Sequence, residues 1–110
     1  MDPIIEDIRR RTPDVPAVEC LARVVPLIPR DYRRGIRKIV LLDRDYRGLK
    51  ARGRYVPVRG TRSADIELFL DSYASLPESL RTDRIFVTFS LGQSHSIRPS
   101  LMLRRSYFAV

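Results

Sequence analysis

A single cysteine, Cys20, a single histidine, His95, and no tryptophan stand among the 110 residues of this chain. One thiol excludes an intramolecular disulfide and any zinc site built from several cysteines of one chain. It fits a reducing compartment, so a cytoplasmic location is the expectation. One imidazole excludes metal motifs that need paired histidines. Lysine is scarce as well: Lys38 and Lys50 are the only two, so arginine carries almost all the positive charge. No apolar run approaches the roughly 20 residues that span a bilayer. The Met-Asp-Pro start lacks the basic-then-apolar pattern of a signal peptide, and no membrane partner is expected. Gly48, Gly53 and Gly60 are spaced as turn residues, not as a phosphate-binding loop. There is no internal repeat.

What is present describes one soluble globular domain, 44% hydrophobic and 31% charged, with a formal net charge of +8. The arginines are scattered rather than gathered in one block. That balance permits weak, non-specific polyanion binding by counterion release without demanding it.

The organising stretch is Ser63 to Asp71. Ile66, Leu68 and Leu70 alternate with Asp65, Glu67 and Phe69, the period of a strand with one buried face. Before it, Gly53 to Arg59 reads as a second strand, which Pro57 demotes to an edge or irregular one. Gly60-Thr61-Arg62 turns the chain between them, so a hairpin is expected. Arg52, Arg54, Arg59 and Arg62, with Tyr55 as the one aromatic, form the densest basic patch and a candidate anion or nucleic-acid contact. Charge on an edge strand also has a plainer use, keeping sheets from pairing edge to edge. Asp65 and Glu67 read as solvated, or as paired with Arg54 or Arg59 across the hairpin, rather than as a general acid and base.

Asp2-Pro3 reads as the start of a short helix bearing Ile4, Ile5 and Ile8, with Arg9 to Arg11 in its last turn. A second helix from Thr12-Pro13-Asp14 carries Val18, Leu21, Ala22 and Val25 on one stripe and ends near Pro26. Cys20 in the neighbourhood of that stripe reads as a buried inert thiol rather than a nucleophile. Pro29 opens a further turn, which Gly35 stops. Ile36 to Asp43 is a strand covered on both faces. Asp43 and Asp45 are spaced like the start of a calcium loop, whose remaining ligands are missing. Tyr73, Leu76 and Leu80 read as two short turns split by Pro77. Arg84 to Leu91 is ambiguous: its β-branched and aromatic content favours strand, while Thr82-Asp83 before it allows a helix start. The tail from Gly92 mixes polar residues with Leu101, Met102, Leu103, Tyr107, Phe108 and Val110, and is a candidate self-association surface.

Taken in order, the proline-bearing helix, Ile-Arg-Lys-Ile-Val-Leu-Leu-Asp, the Gly-Arg-Tyr strand, Ala-Asp-Ile-Glu-Leu-Phe-Leu-Asp and the hydrophobic segment after them resemble a known pattern. It is similar to the N-terminal part of small zincin-like metallopeptidase domains of uncharacterised bacterial proteins, over roughly residues 16–93. The resemblance implies that a helix with H-E-x-x-H begins near Arg84–Gln93. Only His95 follows, between Ser94 and Ser96, and no zinc ligand or general base can be matched. The expectation is therefore a truncated or degenerate, non-catalytic member, with no catalytic or metal site. No cofactor is expected, and zinc would be expected only if a missing C-terminal part carried the motif. The other reading is a small basic binding module for nucleic acid or an acidic protein. The fold expected is α+β, N-terminal helices on a mostly antiparallel sheet of three or four strands, with residues 1–93 as the domain and 94–110 as its tail.

Overall fold

The computed structural model describes residues 3–10, 16–44, 51–70, 80–95 and 107–109, with the backbone alone for 93–95 and 107–109. The described elements are β1 (Ile4–Asp7), α1 (Ala17–Val24), a 3-10 turn (Val25–Leu27), α2 (Arg30–Arg33), β2 (Ile36–Leu42), β3 (Gly53–Pro57), β4 (Ala64–Phe69), α3 (Thr82–His95) and β5 (Tyr107–Ala109). The five strands form one sheet in the order β1-β2-β4-β3-β5. β1 and β4 run parallel to β2, while β3 runs antiparallel to β4 and β5. The class is α+β, as expected. The sheet is mixed rather than mostly antiparallel, and it holds five strands rather than three or four.

β4 lies at the centre of the sheet, and its core-facing residues follow a period of two. Ala64, Ile66 and Leu68 are at most 1% exposed, and Leu70 continues the row just past the strand. In β2 the buried residues are Ile36, Ile39 and Leu41 on this same face, a series that breaks the period of two. A bulge between Ile36 and Lys38 absorbs the extra residue, so that Ile36 faces Ala64 while Ile39 faces Ile66. Three side chains thereby reach one face that strict alternation would have divided.

The helices cover that face. Ala17, Leu21 and Val25 from the first helical stretch, Ile28 after it, and Ile85 and Phe89 from α3 close one core over β2 and β4. Each of these side chains larger than alanine contributes about 1.5–3 kcal/mol on burial. The α1 stripe is rotated from the one expected: Ala17 and Leu21 are buried, whereas Val18 and Ala22 face outward. Ala17, Cys20, Leu21, Val24, Val25 and Ile28 also share helical spacing, and this face carries more apolar surface. Cys20 is half-buried within it. Pro26 ends the regular helix, and Gly35 terminates the α2 turn at φ +81°.

Three further expectations are corrected. The N-terminal segment is a strand, not a helix: Ile4 to Asp7 pair with Lys38 to Leu41. A short isolated helix carries a high nucleation cost, whereas an interior strand such as β2 offers a ready row of partners. β3 is interior rather than an edge, because β5 pairs on its far side at Gly53 to Tyr55. Pro57 stands at its last position, where the missing amide interrupts nothing further along the strand. Arg84 to Leu91 is helical. Ile85, Thr88, Phe89 and Gly92 are all buried and follow the i, i+3, i+4, i+7 series, and that face outweighs the strand propensity of the segment.

The expected hairpin is present, with Gly53 to Pro57 paired with Leu68 to Ala64 and Gly60 in its turn at φ +78°. The short turns expected around Tyr73 to Pro77, the Asp45 to Gly48 loop and most of the tail lie outside the described residues. α3 runs through residues 93 and 94, and the Tyr107–Ala109 segment adds a strand to the same sheet.

Candidate functional site

Alternation along β3 separates the residues of the expected basic patch. Arg54 stands opposite Glu67 in the antiparallel register, and its Nη1 donates to Glu67 Oε1 at 3.2 Å. Both side chains are largely covered, Arg54 the more so. Tyr55, one residue on, points to the other face and packs with the core beneath α3. Arg52 precedes β3, where its carbonyl accepts from the Phe69 amide at 3.1 Å. Arg59 and Arg62 lie at the opposite end of the hairpin, in the exposed turn before β4. The structure therefore brings Arg59 and Arg62 together and keeps them apart from Arg52, Arg54 and Tyr55.

The sheet face turned away from the helices carries a row of ion pairs. Lys38 Nζ reaches Glu6 Oε2 at 3.3 Å between β2 and β1. Arg37 holds Asp65 with two hydrogen bonds, Nε to Oδ1 at 3.0 Å and Nη2 to Oδ2 at 2.8 Å. Arg54 and Glu67 complete the row. Arg37 reaches Asp65 because the β2 bulge sets two residues against one, which links a residue of β2 to one 28 positions later. The side-chain hydrogen bonds that Asp65 accepts, reinforced by its charge, raise the Arg37 pKa above its ordinary value. The largely covered Arg54–Glu67 pair contributes roughly 0.2–1 kcal/mol. Neither Asp65 nor Glu67 is arranged as a proton donor or base, since each carboxylate is engaged by an arginine.

At the far end of β1, Asp7 takes Nε and Nη2 of Arg9 at 2.9 and 2.7 Å, and the Arg9 backbone amide at 3.1 Å. The side-chain hydrogen bond from Arg9 is the main reason the Asp7 carboxyl lies below its ordinary value. Arg9 itself is buried.

α3 is seated on the hairpin by two close approaches. Gly53 faces Thr88, so that an added Cβ would lie 2.8 Å from Thr88 Cγ2 and closer still to its hydroxyl. Gly92 faces Tyr55, where an added Cβ would stand 2.6–2.9 Å from ring atoms. A glycine on the strand thus receives a helix side chain, and a glycine on the helix receives a strand side chain. α2 is held to α3 by Tyr32 and Phe86, edge to face with centroids 5.1 Å apart.

The described donors do not fit the zinc that the resemblance would imply. A catalytic zinc takes three protein ligands and keeps one position open. The chain has one histidine, His95, at the last position of α3. Cys20 packs into the helix layer, while Asp65 and Glu67 lie on the opposite face of the sheet and are bound to arginines. Among the described residues no three of His, Cys, Asp and Glu gather as a metal cluster. Ser96, one of the two serines flanking His95, lies outside the described residues.

No protein-family model matches the sequence, no curated protein is similar to it, and no solved structure matches its fold. No described helix is long and apolar enough to cross a membrane.

Sequence reasoning missed two features of this surface. One is Arg37, whose signal was the broken alternation of Ile36, Ile39 and Leu41. The other is the approach of the α2–β2 turn to the β3–β4 turn, for which local pattern holds no signal.

Proposed function

We propose that these residues are the non-catalytic scaffold of a zincin-like metallopeptidase domain. One observation carries the reading. Among the described residues the next element after the acidic-apolar strand β4 is a 14-residue helix, α3, docked on the strand hairpin. That is the order in which the resembling domains present their zinc helix, and Arg84–Gln93 is helical where the resemblance requires it. The helix carries neither a histidine pair nor a glutamate, so it has the structural role of that element without its chemistry. The chain's own groups then hold the sheet and helix together and activate no water.

Two measurements test the reading. Translating the coding DNA beyond codon 93 in all three frames should uncover H-E-x-x-H in a shifted or continuing frame. Its absence from every frame removes the ground for the family assignment. Equilibrium dialysis of the tag-free chain against micromolar zinc should leave well under one ion per chain, with no peptide hydrolysis. One zinc per chain, lost in His95→Ala, would reveal a site and overturn the non-catalytic part.

A further inference from the structure

At one end of the sheet, two turns remote in the chain lie side by side. The first, Arg34-Gly35, joins α2 to β2. The second, residues 58–63, joins β3 to β4. The Ala64 amide donates to the Gly35 carbonyl at 2.8 Å, and a Cβ added at Gly35 would stand 3.1 Å from the Arg62 carbonyl oxygen. This contact places Arg30 and Arg34 on one side and Arg59 and Arg62 on the other, all four exposed.

Among the described residues, acidic compensation is thin here. Asp65 is occupied by Arg37. Asp31 lies 3.5 Å from Arg34, but both side chains are nearly four-fifths exposed, so solvent screens the pair. The second turn is stiff: the Val58 amide donates to the Ser63 carbonyl at 2.9 Å and the Thr61 amide to the Val58 carbonyl at 3.1 Å. The Thr61 hydroxyl donates to the Val58 carbonyl at 2.9 Å and accepts from the Ser63 amide at 3.0 Å. Arg59 and Arg62 therefore project from a preorganised support, which lowers the ordering cost of binding.

We propose that this end of the sheet binds the phosphate backbone of duplex nucleic acid without reading its base sequence. Its cations are arginines, whose planar forks match pairs of phosphate oxygens. A single-strand binder needs aromatic platforms, whereas of the tyrosines whose side chains are described, Tyr55 is packed beneath α3 and Tyr32 against Phe86. α2 is a single turn of four residues, too short to lie along a groove and reach base edges. Contacts limited to phosphate position a protein without specifying sequence. The inference uses no residue of α3 and does not rest on the metallopeptidase reading.

The test is fluorescence anisotropy of a labelled duplex of about 20 base pairs, with log K followed against log salt. Four phosphate contacts predict a slope of about −3.6, at roughly 0.9 per contact. Arg59→Ala/Arg62→Ala and Arg30→Ala/Arg34→Ala should each bring the slope to about −1.8. Arg44→Ala/Arg52→Ala removes the same charge at the opposite end of the sheet and should leave it unchanged, with urea midpoints verifying that all variants fold. The proposal is overturned if the Arg44/Arg52 pair flattens the slope as much as the others. It is equally overturned by tighter binding of a single-stranded oligomer of equal length, or by binding to phosphatidylserine vesicles with none to duplex.

Discussion

The seat of α3 on β3 can be tested by a double-mutant cycle at Gly53 and Thr88. Gly53→Ala puts a methyl into the Thr88 side chain, 2.8 Å from its Cγ2, at a site where Thr88 is fully buried. Neither backbone yields easily, since Gly53 is paired with Leu68 on one side and Ala109 on the other. Overpacking of this kind costs about 1–3 kcal/mol. Thr88→Ala removes the obstructing atoms. Its hydroxyl donates to the Arg84 carbonyl of its own helix at 3.2 Å, so no partner elsewhere in the protein is stranded. In the double variant the new methyl enters the vacated space, and alanine restricts the unfolded chain more than glycine, by about 0.4–1 kcal/mol. The double variant should therefore be more stable than the two single losses predict, by about 1–3 kcal/mol. Urea unfolding with a shared m-value reads this as a coupling energy. Additivity within about 0.5 kcal/mol would refute the Gly53–Thr88 approach, and with it the docking of α3 on the hairpin.

Other expectations follow from the core and from the charge pairs. Leu68→Ala, at a site 1% exposed in the central strand, should lower stability by about 2–5 kcal/mol, a large share of the roughly 5–15 kcal/mol of an ordinary domain; an unchanged midpoint would place Leu68 on the wrong face. Asp7, lowered from an ordinary value of 3.8 chiefly by the Arg9 side-chain hydrogen bond, adds stability that is fully present above that value and lost as pH falls through its folded pKa. Asp7→Asn should accordingly be less stable than the parent at neutral pH, with a gap that closes below about pH 4; a gap that persists or widens in acid reverses the sign and rules out the linkage. The Arg37 guanidinium shifts the other way: its pKa is raised by the hydrogen bond to Asp65, so its own titration removes the contribution only as pH rises into strong alkali. Arg37→Ala should lower the urea midpoint at neutral pH; an unchanged midpoint would show that the pair adds nothing.

Local pattern settled those parts of the protein in which one face of one element is enough. The alternation of Ile66, Leu68 and Leu70, the stop at Pro26 and the Gly60 hairpin turn depend on neighbours a few residues away, where strand period and backbone restrictions act directly. The pairing of Glu67 with Arg54 was legible for the same reason, as a hairpin sets its own register. Choices between two locally adequate solutions went to the tertiary structure. Ile4 to Asp7 could form a turn of helix or a strand, and the hydrogen-bonding row of β2, 34 residues away, decided. Arg84 to Leu91 had strand propensity, but its buried face at Ile85, Thr88 and Phe89 matched a sheet already closed by β5, leaving a helix as the element that could cover it. Asp65 paired with Arg37 rather than across the hairpin because a bulge in β2, forced by the spacing of Ile36 and Ile39, turned that guanidinium toward it. The arginine-bearing end of the sheet arises in the same way: Gly35 and Arg62 meet only when β2 and β4 align in parallel, and no property of either turn alone requires the other.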